Sequence, residues 1–186
     1  MATVRQRAWQ REVLGGLRGK VLDVGAGEGA AASVLPAGVT WFALEPVPGR
    51  RLTRIAADRP HSVVLPAAAE RIPLPDRSVD AVVCSTVLCS VRDQQRALRE
   101  IRRVLCTSGR LVFFEHVGAR PASGARRVQG LLSPFTRVFG GGCDPRRDTE
   151  SALRAAGFVD LEVTHFPVLG WQDRIGPTIA GSATVG

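Results

Sequence analysis

The stretch Val21-Leu22-Asp23-Val24-Gly25-Ala26-Gly27-Glu28-Gly29 decides the fold of this 186-residue chain. An apolar run ends at an acidic residue, and three glycines follow at alternate positions. This pattern predicts a buried strand, a tight turn and the start of a helix, because glycine accepts positive φ angles and lets a ligand approach the main chain. The free N–H groups of such a corner favour an anionic or strongly polar ligand. The sequence therefore predicts a site for a nucleotide-type cofactor here.

Apolar runs alternate with helical patterns along most of the remaining chain. Strands are predicted at residues 20–25, 39–44, 61–65, 79–84 and 110–116, and helices at 29–35, 50–58 and 93–106. The alternation predicts a parallel sheet with helices on both faces, a Rossmann-like doubly wound α/β fold. The length suffices for one domain over residues 1–186 and is too short for two ordinary domains.

The two ends of the chain frame this alternating region. Residues 1–19 have helical spacing and predict an N-terminal helix, either packed on the edge of the sheet or lying over the cofactor as a lid. Residues 117–147 are rich in glycine, proline and arginine, which predicts an irregular substrate-side insertion around a helix at about 124–132. A helix at about 148–156 and strands at about 158–165 and 173–185 complete the chain.

The charge of the chain does not predict a nucleic-acid partner. The formal net charge is +8, from 25 basic and 17 acidic residues, and Lys20 is the only lysine. Basic residues never run beyond a pair and are not interleaved with aromatic residues, so we interpret them as solvated helix faces. The excess of alanine, glycine and arginine is typical of a GC-rich bacterial genome.

The four cysteines favour a reducing, cytoplasmic setting. None of Cys84, Cys89, Cys106 and Cys143 has the spacing of a metal site, so we expect no metal. We expect neither a signal peptide nor a membrane anchor, because no apolar stretch reaches the ~18 residues of a membrane span. The oligomeric state is left open between a monomer and a homodimer.

The predicted ligand site lies where the parallel strands end. In a doubly wound sheet this edge would bring together the glycine corner, Glu45, residues 68–70, residues 84–87 and Glu115-His116. Glu45 follows the second strand about 20 residues after the glycines, where a carboxylate can accept hydrogen bonds from ribose hydroxyls.

A dehydrogenase is the first alternative for the glycine corner, and three features argue against it. Asp23 lies two residues before Gly25, where a carboxylate would repel a pyrophosphate but would suit an ammonium group. The chain has no room for a separate substrate domain. The segment Ala69-Glu70-Arg71-Ile72-Pro73-Leu74-Pro75, followed by Ser78-Val79-Asp80, is typical of another family.

A further segment, Arg103-Val104-Leu105 before Ser108-Gly109, completes this pattern. With the glycine corner, Glu45 and the segments at 69–75 and 78–80, it makes the chain resemble a class I S-adenosylmethionine-dependent methyltransferase of the type 11 kind over essentially its whole length. Later motifs are similar to the membrane-associated thiol methyltransferases of the methyltransferase-like 7 family. They are Val82-Val83-Cys84-Ser85-Thr86-Val87-Leu88-Cys89-Ser90-Val91, Glu115-His116-Val117, Gly142-Cys143, Ile175-Gly176-Pro177 and Ile179-Ala180-Gly181.

The resemblance implies a seven-stranded sheet whose last strand is antiparallel, with S-adenosylmethionine as cofactor and S-adenosylhomocysteine as product. It implies that Asp23 and the corner hold the amino-acid end of the cofactor, that Glu45 binds the ribose, and that Pro46 and residues 68–70 flank the adenine. Ala68 stands where many relatives have aspartate, so the adenine amino group would need a backbone acceptor. The expected cofactor-binding residues are Asp23, Gly25, Ala26, Gly27, Gly29, Glu45, Pro46, Ala68, Ala69, Glu70, Cys84, Ser85 and Thr86.

His116, beside Glu115, is the predicted catalytic base, because it ends the fifth strand next to the expected pocket. A histidine that is hydrogen-bonded only for structure is the equal alternative. The predicted substrate contacts are Cys143 in a glycine-rich loop and the apolar side chains Phe135, Phe139 and Trp171.

These features predict an enzyme that methylates a small, fairly apolar acceptor, with a thiol favoured. The alternatives are an O- or N-methyltransferase of secondary metabolism, an RNA methyltransferase suggested by the net charge, and a cofactor-binding protein without activity.

Overall fold

A computed structural model describes residues 4–118, 144, 147–166 and 177–186. The seven strands are β1 (Lys20–Val24), β2 (Thr40–Leu44), β3 (Ser62–Leu65), β4 (Val79–Ser85), β5 (Leu105–His116), β6 (Phe158–Phe166) and β7 (Thr178–Val185). The helices are α1 (Val4–Trp9), which continues into a π-helical turn at Gln10–Leu14, then α2 (Arg50–Asp58), α3 (Gln94–Val104) and α4 (Thr149–Ala155). A 3₁₀ turn over Ala30–Ser33 follows the glycine corner.

The strands form one sheet in the order β3-β2-β1-β4-β5-β7-β6. Strand β1 pairs in parallel with β2 and β4, and β7 runs antiparallel to both of its neighbours. The predicted doubly wound sheet with an antiparallel last strand is therefore confirmed. Because β1 is central, its carboxyl end lies between the ends of β2 and β4, which is where the strand order reverses.

Each face of the sheet carries its own apolar core. On one face, Leu22, Cys84 and Phe113 pack with the buried side of α3 and with α4. On the other face, Val21 and Trp41 pack with α2 and with the π-helical turn. Successive residues of the central strands alternate between these clusters, as the twofold period of a strand requires. The sheet is buried on both faces, which explains the continuous apolar runs in the sequence.

The strand and helix positions agree with the sequence reading, and two local conformations differ. The predicted helix at 29–35 is only a short 3₁₀ turn, because Gly29 has a φ of 84° and Pro36 follows closely. Strand β5 begins at Leu105, five residues before the predicted position, since Val79 pairs with Leu105 across a register shift. The expected helix at 124–132 lies outside the described residues.

Gly181 of β7 leaves no room for a side chain, so a methyl group there is expected to destabilise the sheet. A Cβ on Gly181 would lie 1.9 Å from the Glu162 carbonyl oxygen of the neighbouring strand. We expect Gly181→Ala to lower the free energy of unfolding by about 2–4 kcal/mol, because the backbone of β6 has to move. Urea denaturation measures the change.

The matched control is Gly38→Ala, because a Cβ on Gly38 meets nothing within 4 Å. Its free energy of unfolding should stay within about 0.5 kcal/mol of the parent. Equal losses in both variants would contradict the packing argument.

Candidate active site

The glycine corner is fixed to the end of β2 by backbone hydrogen bonds. The N–H groups of Gly25 and Ala26 both donate to the Leu44 carbonyl, at 2.9 and 3.0 Å. Gly25, Gly27 and Gly29 all have positive φ angles, which residues with a side chain rarely adopt. The corner therefore turns sharply out of β1 and stays beside the carboxyl end of β2.

Glu45 lies directly beside this corner. Its Oε2 accepts a hydrogen bond of 3.0 Å from the Gly27 N–H, so the two predicted halves of the cofactor site are in contact. A Cβ on Gly27 would meet only the Gly25 carbonyl oxygen, at 3.9 Å. The main chain at Gly27 is therefore open to a ligand, and Glu45 stands next to the approach.

Asp23 is a buried acid at the end of β1, 4% exposed. Trp41 Nε1 donates a hydrogen bond of 3.3 Å to its Oδ2. Burial raises the pKa of Asp23 from 3.8 to about 7, against the lowering effect of the Trp41 bond, and the negative charge of Glu45 raises the pKa further. A cationic ligand group placed here would reverse this penalty, which is the property expected of a carboxylate that holds an ammonium group.

The predicted adenine loop is tied to the start of α3. Glu70 Oε1 accepts hydrogen bonds from the N–H groups of Arg92 and Asp93, at 2.8 and 3.1 Å, and Arg96 Nε donates to the Glu70 carbonyl. Ala68 is exposed and Ala69 is buried. The Glu70 side chain thus holds the loop in place, while the predicted contact of Glu70, Ala68 and Ala69 with the cofactor stays a prediction.

A strained turn follows β4. Thr86 has a φ of 60°, an unusual value for a β-branched residue, and its N–H donates to the Phe114 carbonyl at 2.7 Å. Strain of this kind is found where surrounding contacts enforce it, often at functional sites. Here the turn lies at the carboxyl end of β4, next to the glycine corner, and Val87 packs against Gly25.

Glu115 enforces the conformation of this turn. Its carboxylate is fully buried and accepts hydrogen bonds from the N–H groups of Val87, Leu88 and Cys89, at 2.9, 2.9 and 3.2 Å. Burial raises the pKa of Glu115, whereas the three donors act in the opposite direction because they favour the ionised form. A catalytic Glu115 stays a prediction, but these contacts favour a positioning role.

The carbonyl groups of the same turn are bound from the other side. Arg147 donates from Nη1 to the Leu88 carbonyl and from Nη2 to the Val91 carbonyl, and the Asp144 N–H donates to the Cys89 carbonyl. The turn is thus held by a buried acid through its N–H groups and by an arginine through its carbonyls. Sequence reasoning missed Arg147, since nothing local distinguishes it from the other arginines.

His116 ends β5 beside this turn and is half-buried. Its Nδ1 lies 3.9 Å from the Sγ of buried Cys89. The predicted base is therefore close to the carboxyl end of β4, as expected from the parallel pairing of β4 with β5. The structure also adds Cys89 as a neighbour that the sequence reading did not select.

Helix α1 covers the carboxyl ends of β4 and β5. Gln6 Nε2 donates a hydrogen bond of 2.8 Å to Ser85 Oγ, and the Trp9 and Phe114 ring centroids are 5.7 Å apart. Phe166 of β6 stacks on Phe114 at 6.3 Å. These contacts pack the helix against the carboxyl ends of β4 and β5, and its role as a lid over the cofactor stays a prediction.

Of the other predicted site residues, Cys84 and Pro46 are described by the structure and the substrate contacts are not. Cys84 is fully buried in the core on the α3 face, so its side chain does not face the corner. Pro46 is exposed just after Glu45. The predicted substrate contacts Phe135, Phe139, Cys143 and Trp171 lie outside the described residues, as does most of the 117–147 insertion.

A seven-stranded sheet of this order, with an acid and a glycine corner ending β1 and a second acid ending β2, defines a class I methyltransferase. Residues 22–113 match the methyltransferase domain family. Human thiol S-methyltransferase TMT1B is 37% identical over 180 residues, covering 91% of this chain and 73% of the relative. Human thiol S-methyltransferase TMT1A is 35% identical over 170 residues, covering 88% and 69%.

A solved structure shares the fold. The 1,6-didemethyltoxoflavin-N1-methyltransferase of Burkholderia thailandensis, with bound S-adenosylhomocysteine, superposes with a TM-score of 0.73 at 16% identity, covering 99% of this chain and 80% of that one. The chain belongs to the S-adenosylmethionine-dependent methyltransferases, and S-adenosylmethionine is its cofactor. Every helix among the described residues is too short or too polar to span a lipid bilayer.

Because Asp23 is buried, we expect the free energy of unfolding of the unliganded protein to depend on pH. The folded-state pKa is about 7 and the ordinary value is 3.8, so the unfolded chain loses its proton first as pH rises. Stability should therefore fall between about pH 4 and pH 7 and level off above. Asp23→Asn, which keeps an acceptor for Trp41, should raise the free energy of unfolding at pH 8 by about 1–3 kcal/mol.

The same variant should lose at least tenfold in affinity for S-adenosylhomocysteine, measured by calorimetry, because the amide cannot neutralise an ammonium group. Asp58→Asn, an exposed position on α2, is the control and should change neither property. A stability profile of Asp23→Asn identical to that of the parent would contradict the burial argument.

Proposed function

We propose that this enzyme transfers a methyl group from S-adenosylmethionine to a small, fairly apolar acceptor, with a thiol favoured. The observation that carries the proposal is the contact of the glycine corner with Glu45 beside buried Asp23. The similarity to two human thiol S-methyltransferases over most of the chain supports the choice of sulfur.

In this proposal the cofactor is held through three kinds of group. The Asp23 carboxylate would bind the ammonium group, the open main chain at Gly27 would lie against the amino-acid end, and Glu45 would bind the ribose hydroxyls. The N–H groups of Gly25, Ala26, Gly27 and Gly29 are already bonded within the protein, so they hold the shape of the corner. The cofactor supplies a methyl group on a positively charged sulfur atom. Glu45 already accepts from Gly27, so its carboxylate is oriented toward the corner before any ligand binds.

The acceptor would lie between α1 and the ends of β4 and β5. The described wall of this region is largely aromatic, with Trp9, Phe114 and Phe166 in contact. Aromatic rings bind apolar groups through large contact areas, whereas a strongly hydrated acceptor would lose water without compensation. This supports an apolar acceptor, with Phe135, Phe139, Cys143 and Trp171 kept as proposed further contacts.

His116 is the proposed proton acceptor. A thiol with a pKa of about 8.5 is partly ionised near neutral pH and needs little help, while an alcohol keeps its proton and requires a base during attack. The imidazole of His116 would take the acceptor's proton as the acceptor's lone pair attacks the methyl carbon, and the carbon–sulfur bond would break to release S-adenosylhomocysteine. The strained turn at Thr86, held by Glu115 and Arg147, would keep the neighbouring wall of the pocket in place.

An O- or N-methyltransferase is the second candidate, because His116 at the carboxyl end of β5 would be a base for a hydroxyl acceptor. For location, we propose a reducing, cytoplasmic compartment, since Cys84 and Cys89 are buried as free thiols.

An acceptor panel tests the function. The purified protein and S-adenosylmethionine are incubated with matched pairs of small aromatic and aliphatic thiols, alcohols and amines, and mass spectrometry measures the gain of one methyl group. We expect methylation of the apolar thiols at rates at least tenfold above those of the matched alcohols. Methylation of amines or alcohols alone would overturn the thiol assignment. If the protein binds the cofactor but methylates none of these compounds, the proposal of a small, apolar acceptor is overturned.

His116→Ala distinguishes the two chemistries. If His116 is a base, kcat for an alcohol should fall about 10²–10⁴-fold, while kcat for a thiol above its pKa should fall less than tenfold, because the thiolate needs no base. The parent's thiol rate should lose its dependence on pH above about 8.5. Equal losses for both acceptors would indicate a structural histidine.

A further inference from the structure

A cavity of about 410 Å³ opens at the amino-terminal ends of β4 and β5, at the opposite end of these strands from the methyl-transfer site. It is lined by the loop before β4, the outer face of α3, the start of β5 and the end of β7. The lining side chains include Arg77, Arg99, Arg102 and Arg103 and the acid Asp76, a net side-chain charge of +3, and Val185 and Gly186 lie beside them. Strand β4 separates the two ends by about 20 Å, so this cavity belongs to neither the cofactor nor the acceptor.

Arg103 is the structural member of the cluster. It forms an ion pair of 2.8 Å with Asp76, a second with Glu100, and hydrogen bonds to the carbonyls of Ile72 and Leu74. The Ile72 N–H in turn donates to Glu100. These bonds attach the loop before β4 to α3 and form one rigid wall of the cavity.

Arg77 is held in an uncommon backbone conformation at the same wall. Its φ is 51°, and its N–H donates to the Arg103 carbonyl at 2.9 Å, while the Ser78 N–H donates to the Val104 carbonyl. A non-glycine residue with positive φ is uncommon and often marks a site where the surroundings enforce the geometry. Arg77 is thereby placed beside the end of α3 at a conformational cost.

The remaining two arginines project from α3 into solvent at the cavity. Arg99 and Arg102 are exposed. Within the described part of the chain, none of the three residues Arg77, Arg99 and Arg102 forms an ion pair. Gly157 leaves space for Arg102, because a Cβ there would lie 3.4 Å from its guanidinium. A bound anion would offset the positive charge of these three guanidinium groups.

We propose that this cavity binds a phosphate or diphosphate group. Guanidinium groups donate in pairs to phosphate oxygens, and the volume lies in the range of small-ligand sites. Arg77, Arg99 and Arg102 would supply the charge and Arg103 the rigid frame. The group could belong to a free phosphorylated molecule or to the headgroup of an acidic lipid, which present the same chemistry to the arginines.

Calorimetric titration of the cofactor-free protein with inorganic pyrophosphate tests the proposal, with an ionic strength of about 50 mM and then about 150 mM. We expect saturable binding at both, weakened at least tenfold by Arg99→Ala with Arg102→Ala. Asp76→Asn should tighten binding two- to fivefold, because it removes the acid from the lining.

The matched control is Arg11→Ala with Arg54→Ala, which removes the same charge from exposed positions on other elements. It should change the affinity less than twofold. A parallel arm measures sedimentation with phosphatidylcholine vesicles with and without phosphatidic acid. Binding to acidic vesicles that requires Arg99 and Arg102, without pyrophosphate binding, would support the proposal and assign the lipid source.

Two results would overturn it. One is no binding of pyrophosphate and no preference for acidic vesicles. The other is binding that the two double variants weaken equally, which would reflect net charge alone. Methyl transfer is not part of this measurement, so its failure would leave the result unaffected.

Discussion

The main-chain carbonyl of Leu44 is the contact on which the cofactor end of the molecule depends. It accepts the N–H groups of both Gly25 and Ala26, and so fastens the loop after β1 to the end of β2. Because β2 continues directly into Glu45, this one acceptor brings a carboxylate to the glycine corner without any side-chain contact being needed. Parallel pairing of β1 with β2 sets the register that makes the contact possible.

The two buried acids at the carboxyl ends of the strands, Asp23 and Glu115, differ in their hydrogen-bond partners. Asp23 is buried with one long hydrogen bond from an indole, so its charge is costly until a cation arrives. Glu115 is buried with three backbone donors, so its position is fixed, although burial still raises its pKa. Burial alone therefore does not identify a reacting group, and the number of hydrogen-bond donors distinguishes an acid that holds a ligand from an acid that holds a turn.

Much of the fold follows from local sequence. The apolar runs of β1, β2 and β4 have no alternation because both faces of the sheet are covered, and the glycines mark positive φ angles that the structure shows. The start of β5 was placed five residues late, because a register shift near Val79 leaves no trace in the hydrophobic pattern. The antiparallel last strand came from the family resemblance, since periodicity does not report strand direction.

The sequence by itself determined the glycine corner, the acid at the end of each of the first two strands and the family to which they belong. These features depend on glycine conformation and on spacing along one stretch of chain. The tertiary structure alone decided that Trp41 contacts Asp23, that Glu115 and Arg147 hold one turn from both sides, and that arginines separated by 22 or more residues in sequence, such as Arg77 and Arg99, line one cavity. The physical reason is that hydrogen bonds and charges act through space, and strand order sets which distant residues become neighbours.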